Sequence, residues 1–225
     1  MRLNKYIAEN SQYSRRKADE LIKWGKIFIN GKKAELGSQV GEDDKVSGIP
    51  LKTFEKTYLA FNKPAGYIST RKDELGRKTI MDLLPKIPNL KPVGRLDKDT
   101  EGLMFISNDG YFINHLTHPK YECEKEYYVE YEGFFTEQDK RKLERGIVIE
   151  GRITAPAKIS NQKESSLNII IHEGRKRQIR NMFATLSHPV KYLKRVRIGS
   201  IKLGSLKKGE HRKLTKSEIN AHKPT

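Results

Sequence analysis

Apolar positions along the chain switch between helical and strand spacing, and the switches mark out the elements. Leu3, Tyr6 and Ile7 recur at helical spacing over residues 3–10. Ser14 then stands as an N-cap before RRKADELIKW, where Ala18, Leu21 and Ile22 share one face and Gly25 supplies the stop. In KIFING the apolar residues Ile27 and Ile29 alternate, and Asn30-Gly31 is a hairpin turn signal. The first fifty residues therefore predict two short helices and a small hairpin structure. Residues 41–57 are polar, with Gly, Pro and acids, and read as a short strand and a linker whose boundary falls between residues 48 and 57.

The remainder reads as α+β. YLAFNKPAG (58–66) starts as a strand and breaks at Pro64 and Gly66; TIMDLLP (79–85) predicts a short helix ended by Pro85. LMFIS (103–107), KEYYVEYEG (125–133) and SLNIIIHEG (166–174) predict strands. YFINHLTHP (111–119), TEQDKRKLERG (136–146) and RQIRNMFATLS (177–187) predict helices, and Val196, Ile198, Ile201 and Leu203 suggest terminal strands around Gly199. No internal repeat or low-complexity tract interrupts this order. The expectation is a domain at 1–50 and a second at 57–225.

Charge changes the picture more than composition does. The formal net charge is +17 over 225 residues, which points to a polyanionic partner, most simply nucleic acid. It is concentrated. Residues 1–33 carry nine Lys/Arg against three Asp/Glu, residues 172–215 carry thirteen against two, and the rest balances. Arg15, Arg16 and Lys17 begin the second helix, and Lys23 and Lys26 lie near its end. The single cysteine excludes an intrachain disulfide and a cysteine metal site, and the six histidines lack metal-ligand spacing. No apolar run approaches the roughly 20 residues of a membrane span, and the N-terminus has no apolar signal core. A reducing, cytoplasmic setting is expected.

Candidate chemistry centres on GRLDKDTEGLMFISNDG (94–110), which places Arg95, Asp97, Asp99 and Glu101 in seven residues. Gly94 and Gly102 bracket a tight loop whose backbone could approach a ligand. In an extended segment Arg95 and Asp97 share a face and Leu96 points to the core. The cation favours the ionised carboxylate. Asp99 and Glu101 lie nearer the turn, where acids are usually solvated. The residues alone leave a structural ion pair and a catalytic carboxylate both open.

Two resemblances bear on the choice. SRRKADELIKWGKIFINGKKA resembles the small RNA-binding module named after ribosomal protein S4, which implies that Arg15, Arg16, Lys17 and Lys26 lie against RNA phosphates. GRLDKDTEGL resembles the signature of pseudouridine synthases, most closely the branch that modifies ribosomal RNA and carries such an N-terminal module. FNKPAGYISTRKD (61–73), LTHPKYECEKEYYVEYEG (116–133) and HEGRKRQIRNMF (172–183) are similar to the family's other blocks, in the family's order. RKDELGR (71–77) is similar to relatives that modify the large subunit.

The resemblance implies a catalytic domain built on a mixed, largely antiparallel sheet, isomerisation of uridine to pseudouridine in a base flipped from the RNA, and no cofactor or metal. It makes Asp97 the catalytic residue, as nucleophile or as stabiliser of an oxocarbenium-like sugar. Tyr127 becomes the active-site tyrosine, with Tyr128 facing away along the strand. Arg180 becomes the basic partner of Asp97, Ile179 packs beside the tyrosine, and Arg95 fills the space the displaced nucleotide leaves. Arg175, Lys176 and Arg177 are expected on RNA backbone. The partner implied is ribosomal RNA, free or in a ribosomal particle, and the expected state is a monomer. A non-catalytic RNA-binding protein is the first rival, but Asp97, Tyr127 and Arg180 are all retained. A glycoside hydrolase using Asp97 with Asp99 or Glu101 is the second; the charge and the single Trp argue against it.

Overall fold

The computed structural model describes residues 1–52 and 54–222. The chain divides into two compact units. One holds Met1–Lys56, Ile87–Asn89 and Asn108–Gly110, the other Thr57–Lys86, Leu90–Ser107 and Tyr111–Thr225. Residues 223–225 of the expected second domain lie outside the described residues.

In the first unit local signals set the elements. Helix α1 (Leu3–Glu9) buries Leu3 and Ile7. Helix α2 (Arg15–Lys23) starts where the Ser14 hydroxyl accepts from the Lys17 backbone N–H, and it buries Ala18, Leu21 and Ile22. Strands β1 (Phe28–Ile29) and β2 (Lys32–Lys33) pair antiparallel across Asn30-Gly31, whose φ angles are both positive as this tight turn requires. Strand β3 (Val46–Ser47) pairs with the other edge of β1. Ile27, Ala34 and Val40 join the buried helix faces in one small core.

The second unit is α+β. Its strands are β4 (Tyr58–Lys63), β5 (Lys91–Val93), β6 (Glu101–Ser107), β7 (Lys125–Tyr131), a separate hairpin of β8 (Val148–Ile149) and β9 (Arg152–Ile153), then β10 (Lys158–Ser160), β11 (Ser166–Ile171), β12 (Val190–Ile198), β13 (Ile201–Lys202) and β14 (His211–Lys213). Its helices are α3 (Gly110–Thr117), α4 (Glu137–Arg145), α5 (Gln178–Thr185) and α6 (Lys216–Asn220). Nine strands form a mixed sheet in the order β10-β11-β7-β12-β6-β4-β14, with β5 on β6 and β13 on β12. The β12–β6 pair alone is parallel; the other described pairs are antiparallel.

Patterning explains which faces are covered. Every residue of β6 is buried, as its unbroken apolar run suggests. In β7 Tyr127, Val129 and Tyr131 are buried and alternate with wetter neighbours. Ala60, Leu103 and Phe105 pack with Phe112 and Leu116 of α3 and with Ile198 and Ile201. Tyr131, Phe135 and Phe183 of α5 form an aromatic group with ring centroids 5.4–5.8 Å apart.

The structure departs from the sequence expectation in short pieces. TIMDLLP makes one 3-10 turn, Ile80–Leu83, closed by a capping box of Thr79 and Asp82. Strands β5, β10 and β14, the β8–β9 hairpin and α6 carry two to five residues each. That is too few for a period to declare itself.

Candidate active site

The acid-rich segment connects β5 to β6, which pair antiparallel with Val93 opposite Phe105. Its course is fixed from inside. Leu96 is 7% exposed. The Leu96 N–H donates to Ser69 Oγ at 3.1 Å, and the Ser69 hydroxyl donates back to the Leu96 carbonyl at 2.8 Å. With Leu96 turned inward, Arg95 and Asp97 line a cleft of about 710 Å³, with Tyr127 and Ile179 also in its wall. Arg95 is exposed and makes no ion pair among the described residues.

A residue assigned no role from the sequence, in the FNKPAG block, anchors this loop. Lys63, last in β4, is fully buried. Its ammonium donates to the carbonyls of Pro64 (3.1 Å), Asp97 (3.0 Å), Lys98 (3.1 Å) and Thr100 (2.8 Å). Three donors thus serve four acceptors, three of them in the loop. Burial pulls the Lys63 pKa down to about 8, with Arg195 acting in the same sense and Asp99, Glu101 and Asp97 opposing. The Thr100 N–H adds a turn bond to the Asp97 carbonyl at 3.1 Å.

Tyr127 is set by β7, and Tyr128 does face away, its hydroxyl donating to Glu130 at 3.0 Å. The Tyr127 hydroxyl accepts from Arg195 Nη1 at 3.4 Å. Arg195, in β12, is only 3% exposed. Its Nε donates to the Leu103 carbonyl at 2.6 Å, and its Nη2 is buried with no partner. Arg195 is opposite Gly102 in the parallel pair. Gly102 has φ +106°, and a Cβ there would sit 2.2 Å from the Arg195 carbonyl oxygen. The expected close approach at Gly102 is therefore strand on strand rather than backbone on ligand.

Other sequence readings need correction. Glu101 is not a solvated turn acid. It is 7% exposed at the start of β6, where Tyr192 donates to it at 2.6 Å and Lys208 at 2.9 Å. Burial pushes its pKa up, but the bonds from Lys208 and Tyr192 outweigh that and hold it below the usual range. Its partners, Tyr192 in β12 and Lys208 in the turn before β14, lie far along the chain, so local spacing could not reveal them. Asp99 is exposed as expected.

The direct pairing of Arg180 with Asp97 is also not formed. Arg180 Nη1 donates to the Val190 carbonyl at 3.1 Å, Nε is buried without a partner, and no ion pair joins Arg180 to Asp97 among the described residues. Burial lowers the Arg180 pKa, Arg177 adds to this, and the charges of Asp97 and Asp99 oppose it. The guanidinium therefore senses Asp97 without touching it.

The basic residues before α5 separate by role. Arg175, expected on RNA backbone, instead makes its hydrogen bonds to protein. Its Nε donates to Glu173 at 3.2 Å, its Nη1 to the Arg152 carbonyl at 3.1 Å and its Nη2 to the Ile153 carbonyl. Lys176 and Arg177 are exposed and line the cleft. In the first unit Arg16 and Lys26 are exposed, Arg15 donates to Asn4 at 3.3 Å, and Lys17 pairs with Glu20 at 2.8 Å.

The second unit thus presents a polar cleft on a mixed sheet, and the first is a basic helix–hairpin module. Comparisons with known proteins identify the class. The sequence model of the RNA pseudouridylate synthase family matches residues 57–185, and that of the S4 domain matches residues 1–46. The chain is 44% identical to the ribosomal large subunit pseudouridine synthase B of Bacillus subtilis (strain 168), over 97% of this chain and 93% of that protein. It is 38% identical to the dual-specificity RNA pseudouridine synthase RluF of Escherichia coli (strain K12), over 97% of this chain and 77% of that protein. A solved structure described as a pseudouridylate synthase matches with a TM-score of 0.74 at 35% identity, covering 98% of this chain and 99% of that one. The chain belongs to the RNA pseudouridylate synthase family.

Proposed function

We propose that this enzyme converts a uridine of ribosomal RNA to pseudouridine, with Asp97 as its catalytic residue. The supporting observation is the Asp97 loop, whose carbonyls are gathered on one buried ammonium while the Asp97 side chain is left in the cleft with Tyr127. A carboxylate held this way meets its substrate with little reorganisation.

In the reaction the bond from ribose C1′ to uracil N1 breaks, the base turns, and C1′ bonds to C5. The proton on C5 leaves and N1 gains one, so the product is an isomer and no redox partner or cofactor is consumed. The attacked atoms are covered in stacked RNA, so the nucleotide must first be flipped into the cleft. Asp97 acts at C1′, opposing the positive charge that grows as N1 departs. Tyr127 offers a ring for the uracil and a hydroxyl for the proton step, with Ile179 beside it. Arg95 enters the space vacated in the RNA, and Arg180 acts on Asp97 at a distance through its positive charge.

Residues 57–225 form the catalytic domain in this reading. Residues 1–50 bind RNA through Arg15, Arg16, Lys17 and Lys26, and Lys176 and Arg177 add contacts beside the cleft. The enzyme works as a monomer in the cytoplasm, on free ribosomal RNA or a ribosomal particle. The Bacillus subtilis relative is named for the large subunit, and large-subunit RNA is where the modified uridine is expected. Pseudouridine maps of ribosomal RNA from cells with and without the protein test this. A position lost with the gene and restored by its return supports the proposal; unchanged maps count against ribosomal RNA as the substrate.

A further inference from the structure

We propose that Trp24 is a stacking platform for an unpaired RNA base, flanked by lysines that take the adjoining phosphates. The inference rests on the reading of the first unit as an RNA-binding module and assigns it a contact beyond charge.

Trp24 is the only tryptophan in the chain, and it is 58% exposed. Its position is nonetheless fixed. It caps α2, with its backbone N–H bonded to the carbonyls of Glu20 and Ile22. Lys17, seven residues earlier, lies on the same stripe of the helix, and its ammonium is 4.5 Å from the ring centroid. The Lys26 ammonium is 5.9 Å away. Lys33 joins them. A Cβ built on Gly25 would lie 1.9 Å from Lys33 Cε, so that lysine stem crosses the turn beside the tryptophan. Lys23 is exposed on the last turn of α2. Glu20, which pairs with Lys17 at 2.8 Å, is the acid among them.

This environment selects its ligand. An indole left in water stacks on another flat surface, and every nucleobase has one. Lysines around the ring hold it by cation–π attraction in the free protein and can turn to phosphates when a base arrives. Stacking needs an unstacked base, so loops and single strands fit and a closed duplex does not.

As the sole tryptophan, Trp24 reports on its own contact. The full-length protein is titrated with an RNA hairpin bearing an unpaired loop, with a blunt RNA duplex of equal charge, with inorganic polyphosphate and with polyglutamate. Indole emission is recorded, and binding is followed separately by anisotropy of labelled ligand. At equal occupancy, quenching is expected to be several times stronger with the looped hairpin than with the other three. Trp24→Ala is expected to weaken hairpin binding at least about fivefold, with Trp24→Phe closer to wild type. Equal quenching by hairpin and polyphosphate, or unchanged affinity in Trp24→Ala, would overturn the stacking role while leaving the RNA-binding module intact. Absence of RNA binding by anisotropy, with or without quenching by polyglutamate, would overturn both.

Discussion

A lysine ammonium with no exposed surface is held in this protein by carbonyl oxygens instead of water, and its titration follows from that. Lys63 ionises at about 8 in the folded chain, against an ordinary value of 10.5. Between those values the unfolded chain holds the extra proton, so this group's contribution to stability rises with pH across the window. The ammonium's grip on the Asp97 loop, in contrast, is lost as pH rises through about 8. Activity is expected to decline above pH 8 with no matching drop in the unfolding midpoint attributable to this group; a decline that coincides with unfolding would contradict the anchoring role. Lys63→Met leaves buried carbonyls unsatisfied and is expected to cost roughly 2–4 kcal/mol in denaturant unfolding. Arg195 gives a second test. Its Nη1 donates to the Tyr127 hydroxyl, so Arg195→Met and Tyr127→Phe should lower kcat by less than the product of their separate effects when combined. Independent, multiplicative losses in kcat would show that Arg195 does not act through Tyr127.

At the scale of elements, the β6–β12 pair carries a tightly constrained contact at Gly102. Gly102→Ala puts a Cβ against the Arg195 backbone at a φ that L residues rarely adopt. It is expected to destabilise the fold by roughly 2–5 kcal/mol, measured by chemical denaturation; a loss under about 1 kcal/mol would mean that the strands separate easily there. The same pair shows where the sequence was legible. Helix α2 could be read from Ser14 and three apolar residues on one face, and β7 from strict alternation, because each signal lies within one element. That Asp97 and Tyr127 share one cleft agrees with the blocks of family resemblance in which each was singled out. Lys63 was not legible, since nothing in YLAFNK says that a lysine is buried; its acceptors at Asp97, Lys98 and Thr100 lie 34–37 residues on. Glu101 read as solvated because Lys208 lies 107 residues away. Arg180 read as a partner of Asp97, and only the structure showed its Nη1 turned to the Val190 carbonyl.

At the scale of the whole molecule, the charge lies in two sequence segments, 1–33 and 172–215. Each supplies cations to the proposed RNA contacts, and binding should therefore weaken steeply with salt as counterions are released. Removing residues 1–50 is expected to weaken RNA binding and lower that salt dependence. The core formed by Ala60, Leu103, Phe105 and Phe112 lies wholly outside the deleted segment, so the remainder should still unfold cooperatively. Loss of the cooperative transition would show that the segments do not fold separately. The central claim is chemical, and the most direct measurement is a single-turnover assay of pseudouridine formation in ribosomal RNA by Asp97→Asn, with RNA binding followed in the same samples. The variant is expected to bind as the wild type does and to form no pseudouridine; product formed at a rate near wild type would contradict the assignment of Asp97.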